Sequence, residues 1–272
     1  MRARDVLDLL LAHYGVQAVA RQADTVDTIK CGDPDQLVTG ICVTGVPTVD
    51  VIQAAIRQGC NMIICHEPLF YNHRDEQAGL AGSPVFQEKM RLLSEHQILV
   101  WRYHDSIHSQ KPDGIYDGVA HGLGWSDFQH EPFAHNNDCY RIPKTNVAEL
   151  ARFIKQKMNL RQLRLIGDPD SPCETVAMVC GGGSLNFDDK RLLALFLEKN
   201  VDVLLLGEMI DWTLPYYVHD SAVLGLGKAV LQIGHFNFET FAMRHLPAVL
   251  AELLPGEIPV IFAGTEDLYT YL

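Results

Sequence analysis

Three apolar runs in this chain end in side chains that bind metal well. The run NMIIC at 61–65 leads into His66, Glu67 and Pro68. ILVWRY at 98–103 leads into His104, with His108 four residues on. AVLQI at 229–233 leads into Gly234 and His235, with Glu239 four residues on. Neighbours on a strand point to opposite faces, so His66 and Glu67 diverge unless the strand is ending; Pro68, which cannot donate to a ladder, ends it there. Residues four apart on a helical turn project to one side. Imidazole and carboxylate together suit zinc, iron, manganese or nickel. His66, Glu67, His108, His235 and Glu239 supply three imidazoles and two carboxylates, more than one tetrahedral ion takes. A pair of ions about 4 Å apart, sharing a bridging carboxylate and water, uses all five.

The plainer alternative is a set of polar residues at loop tips. With 34 acidic residues in 272, an acid four positions after a histidine is a common coincidence. What raises these pairs above coincidence is position, since open α/β sheets place their sites at the carboxyl ends of strands. Cys65 adjoins the candidate site, but a thiol inside an apolar run is ordinarily core. Gly181-Gly-Gly-Ser184 lies between a strand-like and a helix-like run and matches neither a dinucleotide fingerprint nor a phosphate loop; a tight turn explains it better than an anion cradle.

The elements that must position these residues alternate regularly. VTGICVT at 38–44 precedes a helical pattern from Pro47 to Gln58, stopped by Gly59. After NMIIC comes a helix from about Ser83 to Gln97, with Pro84 in its first turn, then ILVWRY. The second part repeats the scheme: VAMVC at 176–180, a helix to about Asn200, VDVLLL at 201–206 ending at Gly207-Glu208, another helix, and AVLQI. Such alternation predicts an α/β fold with mostly parallel sheets and right-handed crossovers. It also suggests two linked, pseudo-duplicated halves. The first carries His66-Glu67 and His104 at its strand ends, the second Glu208 and His235. The expected halves are 1–127 and 128–272. A turn-bounded crossing segment, 128–172, holds a strand, a helix from Thr145 to Met158 and a strand from Gln162 to Ile166. Its His130 and His135 are expected to supply no ligand.

A net charge of −12, spread without blocks, disfavours nucleic-acid binding. No apolar run approaches the roughly 20 residues of a membrane span. MRARDVLDLLLAHYG reads as an amphipathic helix closed by Gly15, because Asp5 and Asp8 interrupt any leader-like stretch. Seven cysteines without a C-x-x-C pair fit the cytoplasm.

Taken together, His66-Glu67-Pro68, His104-x-x-x-His108, Gly181-Gly182, Gly207-Glu208 and Gly234-His235-x-x-x-Glu239 resemble the marks of the Nif-three-like family. These are dinuclear metal-binding proteins often named GTP cyclohydrolase 1 type 2 homologues. Order and spacing match from about residue 36 onward. Two positions depart: the family's second histidine is Glu67 here, and its aspartate is His108. The exchange keeps three histidines and two acids, as a permuted but retained site would. The resemblance implies a metal cleft between two α/β halves and ring-like homo-oligomers, commonly hexamers. It also implies a metal-dependent hydrolase acting on a nucleotide or related small molecule. Glu208, His104 or His219 would handle protons or orient ligands. The alternative is a non-catalytic, metal-binding regulatory protein that acts through partners.

Overall fold

The computed structural model describes residues 1–133, 137–184, 190–256, 258–265, 268–270 and 272. They form two compact units, 1–115 with 243–272, and 116–242.

In chain order, the first stretch contains α1 (Ala3–His13), β1 (Ile29–Cys31), β2 (Ile41–Thr44), α2 (Val49–Arg57) and β3 (Met62–Cys65). It continues through α3 (Pro84–Glu95), β4 (Leu99–Arg102), the single turn α4 (Asp105–His108) and α5 (Gly114–Leu123). Then follow β5 (Gln129–Phe133), β6 (Asn137–Asn146), α6 (Val147–Met158), β7 (Arg164–Ile166), β8 (Pro172–Val179), α7 (Lys190–Leu197) and β9 (Val203–Leu206). The chain closes with α8 (Thr213–Val223), β10 (Ala229–Gln232), α9 (His235–Met243), α10 (Leu246–Leu253) and β11 (Val260–Phe262).

The first unit's sheet has five strands in the order β1-β4-β3-β2-β11. All its pairings are parallel except β1 with β4. Every residue of β2, β3 and β4 is buried, as expected where both faces of a parallel sheet are covered. The register sets Thr44 opposite Cys65 and Cys65 opposite Arg102, so β2, β3 and β4 end level. Residues 66 and 104 therefore leave the sheet at one edge.

The second unit's sheet has six strands, β5-β6-β8-β9-β10-β7. Its centre, β8-β9-β10, is parallel; β6 and β7 flank it antiparallel, and β5 pairs antiparallel with β6. The duplication is visible in topology. The series α1-β1-β2-α2-β3-α3-β4 recurs as α6-β7-β8-α7-β9-α8-β10. The spatial orders β1-β4-β3-β2 and β7-β10-β9-β8 match, with the leading strand antiparallel to the last in both.

Helix boundaries follow local signals. Ser83 caps α3 by accepting from the Phe86 amide, with Pro84 in the first turn, and Asn146 caps α6 through the Glu149 amide. Gly15 and Gly59 take the positive φ expected after α1 and α2.

The expected boundary at 127/128 differs from the structure in two respects. The second unit begins at Tyr116 and so takes in most of α5, while residues 128–172 lie within that unit, as expected of the start of the second half, and form β5, β6, α6 and β7. The C-terminal segment rejoins the first unit, because β11 pairs parallel with the outer edge of β2 and covers it.

Candidate metal centre

The chain leaves β3 by a sharp bend. The amides of His66 and Glu67 both donate to the Gly45 carbonyl, at 3.1 and 2.8 Å. Two successive amides on one acceptor break the strand alternation, so both side chains can serve one site. The His66 ring is fully buried, its Nδ1 3.3 Å from the Tyr103 carbonyl oxygen.

His104 and His108 arrive on the turn after β4. Four residues cannot hold a helix alone; Asp27 holds this one. Its carboxylate accepts the amides of His104, Asp105 and Ser106, each at 2.7 Å. Asp105 links His104 Nδ1 (2.9 Å) to the Thr25 hydroxyl and Val26 amide (2.9 Å each). Asp113 takes His108 Nδ1 at 2.9 Å and caps the next helix through the Ile115 amide.

The three rings converge. His66 and His104 stack with centroids 4.6 Å apart, while His108 stands edge-on at 5.1 and 5.0 Å from them. One ring nitrogen from each lies within 4.8 Å of the others. Burial pushes the His104 imidazole down to about 4, against the pull of Asp105 and reinforced by His66, His108 and Arg102. The bond from His104 holds the Asp105 carboxyl well below its usual range. Neutral imidazoles with Nδ1 turned to an acceptor are what a metal needs from histidine.

The second unit carries a smaller set. His235 opens α9, its Nδ1 3.2 Å from Glu208 Oε1 and its Nε2 3.0 Å from Glu239 Oε1. Glu239 is almost fully buried. Gly181, at φ +55°, makes room for it: a Cβ there would lie 2.4 Å from Glu239 Oε1 and 3.4 Å from His235 Nε2. The glycine turn is thus explained by the carboxylate it admits. This ring, too, is held at Nδ1 by a carboxylate and directs Nε2 toward a second donor. The histidine and carboxylate groups present could hold divalent metal.

A model of the family described as Duf34/NIF3 (NGG1p interacting factor 3) matches residues 1–267. The chain belongs to this family. It is 27% identical over 221 residues to a GTP cyclohydrolase 1 type 2 homolog of Clostridium acetobutylicum, covering 78% of this chain and 76% of the relative. A protein of the same name from Methanocaldococcus jannaschii is 20% identical over 263 residues, covering 95% and 98%. Among solved structures, a Bacillus cereus protein related to NIF3 superposes with a TM-score of 0.77 at 14% identity, covering 100% of this chain and 99% of that one. A Staphylococcus aureus protein does so with a TM-score of 0.76 at 18% identity, again covering 100% and 99%. These structures share the Duf34/NIF3 fold.

His104, a proton-handling candidate, stands inside the imidazole group itself. Glu208 lies against the far nitrogen of His235, in an orienting position. His219 is exposed on α8. Cys65 is fully buried, its thiol pushed far up by burial, with Sγ 3.6 Å from the Trp101 carbonyl oxygen. His135 and the side chain of His130 lie outside the described residues. Glu67 and His108, the two departures, each have a partner of their own: Arg102 Nη2 lies 3.5 Å from Glu67 Oε2, and Asp113 holds His108. Sequence reasoning missed Asp27, Arg102, Asp105 and Asp113. Only Arg102 carried a usable signal, a charge inside an otherwise apolar strand.

Proposed function

We propose that this protein is a metal-dependent hydrolase acting on a nucleotide or a related small molecule. His66, Glu67, His108, His235 and Glu239 hold two divalent transition-metal ions, with zinc, iron, manganese and nickel as the candidates. The observation that supports this most is the treatment of the imidazoles: the Nδ1 atoms of His108 and His235 each face a carboxylate and that of His66 a backbone carbonyl, the arrangement that orients metal-bound histidine. When bound, such ions lower the pKa of a shared water towards neutrality and polarise a substrate oxygen or ring carbon. His104 is uncharged near pH 7 because burial disfavours its cation. Asp105 fixes its Nδ1, so His104 is suited to accept a hydrogen bond at Nε2 and orient a reacting group. Glu208 keeps the His235 ring in place. The nucleotide class rests on the name carried by the relatives, and a purine ring-opening reaction is the first to try.

The proposal extends to assembly and compartment. Trp212, Tyr216 and Val223 form an exposed apolar stripe on and beside α8, a surface suited to self-association into a ring-like homo-oligomer such as a hexamer. Light scattering on purified protein tests it, and a monomer would refute it. None of the seven cysteines is in a disulfide, which fits the cytoplasm. Among the described residues, no helix is long and apolar enough to cross a membrane.

The test of function is reconstitution. Metal-stripped protein is reloaded with zinc, manganese or iron and assayed against GTP and a panel of nucleotides. Metal-dependent turnover that disappears in Glu239→Ala supports the hydrolase. Uptake of metal without turnover on any substrate would favour a regulatory metal-binding protein. No uptake would overturn both.

A further inference from the structure

Arg102, the last residue of β4, is fully buried. Its Nε donates to the His66 carbonyl at 2.9 Å, and Nη1 donates to the His73 carbonyl and lies 3.5 Å from Asp75 Oδ2. Nη2 points to Glu67 Oε2 at 3.5 Å and makes no hydrogen bond among the described residues. Asp75 is not Arg102's private counter-ion. Its Oδ2 is 3.1 Å from Lys30 Nζ, and its Oδ1 accepts the Phe70 amide at 2.8 Å. A third buried cation, Lys89, donates to the Leu69 carbonyl at 2.7 Å, its pKa drawn down to about 8 by burial.

Around Arg102 and Asp75 there are thus three cations, Lys30, Lys89 and Arg102, and two carboxylates within ion-pair distance of them, Asp75 and Glu67. Buried charge is tolerated only when paired. Asp75 is shared between Lys30 and Arg102, and Glu67 is the second carboxylate within ion-pair distance of the Arg102 guanidinium. The same guanidinium holds the His66 carbonyl, and one Glu67 oxygen lies within 4.8 Å of a His66 ring nitrogen.

We propose that Arg102 is the positioning residue for Glu67. It lies against Oε2 and fixes the direction in which the carboxylate is presented beside His66. It also ties that carboxylate to the His66 backbone and, through His73 and Asp75, to the loop that follows. This assignment rests on the metal-binding reading above, and it makes Glu67 part of a buried ion-pair network as well as a ligand.

The experiment uses the full chain and zinc as the probe, in wild type, Arg102→Lys, Glu67→Ala and the double variant. Zinc affinity is read by chelator competition, and the fold of each metal-free protein by thermal melting. Arg102→Lys keeps the charge but loses the planar fork that spans His66 and Glu67. It should weaken zinc binding by about 10-fold or more, the usual effect of removing a group that orients a ligand. In the Glu67→Ala background the same change should have no further effect. An equal loss in both backgrounds, or wild-type affinity in Arg102→Lys, overturns the proposal.

A second measurement is independent of metal. Glu67→Gln keeps the shape and removes the charge, so metal-free Glu67→Gln should melt below wild type because Arg102 loses one of its two anions. A carboxylate that served only as a ligand would leave the metal-free melting point unchanged or raise it, and that result refutes the pairing even if Arg102→Lys does not fold. Absence of zinc uptake by wild type would count against the metal-binding reading, while the melting comparison would still decide the Arg102–Glu67 pair.

Discussion

At the scale of residues, the candidate donors stand out in the sequence and the acids that support them do not. His66, His108, His235 and Glu239 announce themselves because each follows an apolar run at a strand end. Asp113 and Asp105 look like ordinary loop acids until the fold turns their carboxylates onto histidine nitrogens. Asp113 gives a direct test. Asp113→Asn preserves shape and helix capping but removes the charge that orients His108. Zinc affinity should fall by about 10- to 100-fold with little change in melting temperature; unchanged affinity would show that His108 needs no orienting acid. Gly181 offers a second test. Alanine at φ +55° is strained by about 1 kcal/mol, and its Cβ would occupy the space of Glu239 Oε1. Gly181→Ala should fold and yet hold less metal per chain by elemental analysis. Full metal content would mean that Glu239 is not held where a ligand must be.

At the scale of elements, regular strands and helices were readable from period and punctuation, whereas the one-turn helix α4 was not. Nothing local predicts a helix in Asp105–His108, since its three leading amides are satisfied by Asp27, far away in sequence. That capture is also what buries His104, and burial has a measurable signature. The folded imidazole titrates near 4, against 6.5 in the unfolded chain. Between those values the unfolded state binds a proton that the folded state does not. Stability of metal-stripped protein should therefore rise with pH from about 4 to 6.5 and be fully present above that. Urea melts across this window, compared between wild type and His104→Asn, isolate the contribution: the variant should show the shallower slope. Parallel slopes would mean that His104 is as easily protonated in the fold as in the open chain.

At the scale of the whole molecule, the duplication shows in the sequence as repeated strand-end motifs, but the return of the C-terminus does not. β11 is only three residues long and lies more than two hundred positions from β2, its partner. A pairing so distant and so short leaves no periodic trace. Yet it has a clear physical role. β2 lies beside β3, the strand that delivers His66 and Glu67, and without β11 its outer edge would present unpaired amides and carbonyls along Ile41, Cys42 and Val43. The pairing is real in its hydrogen bonds: the Ile41 amide donates to the Pro259 carbonyl at 2.9 Å and the Ala263 amide to Val43 at 3.0 Å. An open, apolar parallel edge is a template for association with other chains. A chain ending at Leu254 should therefore melt at lower temperature and aggregate on warming, and it should bind less metal because β3 loses its supported neighbour. Size-exclusion chromatography and thermal melting of the truncated protein read both effects. Were it to keep the parent's elution volume and melting temperature, β11 would be an ornament on the first unit, and the sheet that positions His66 would stand without it.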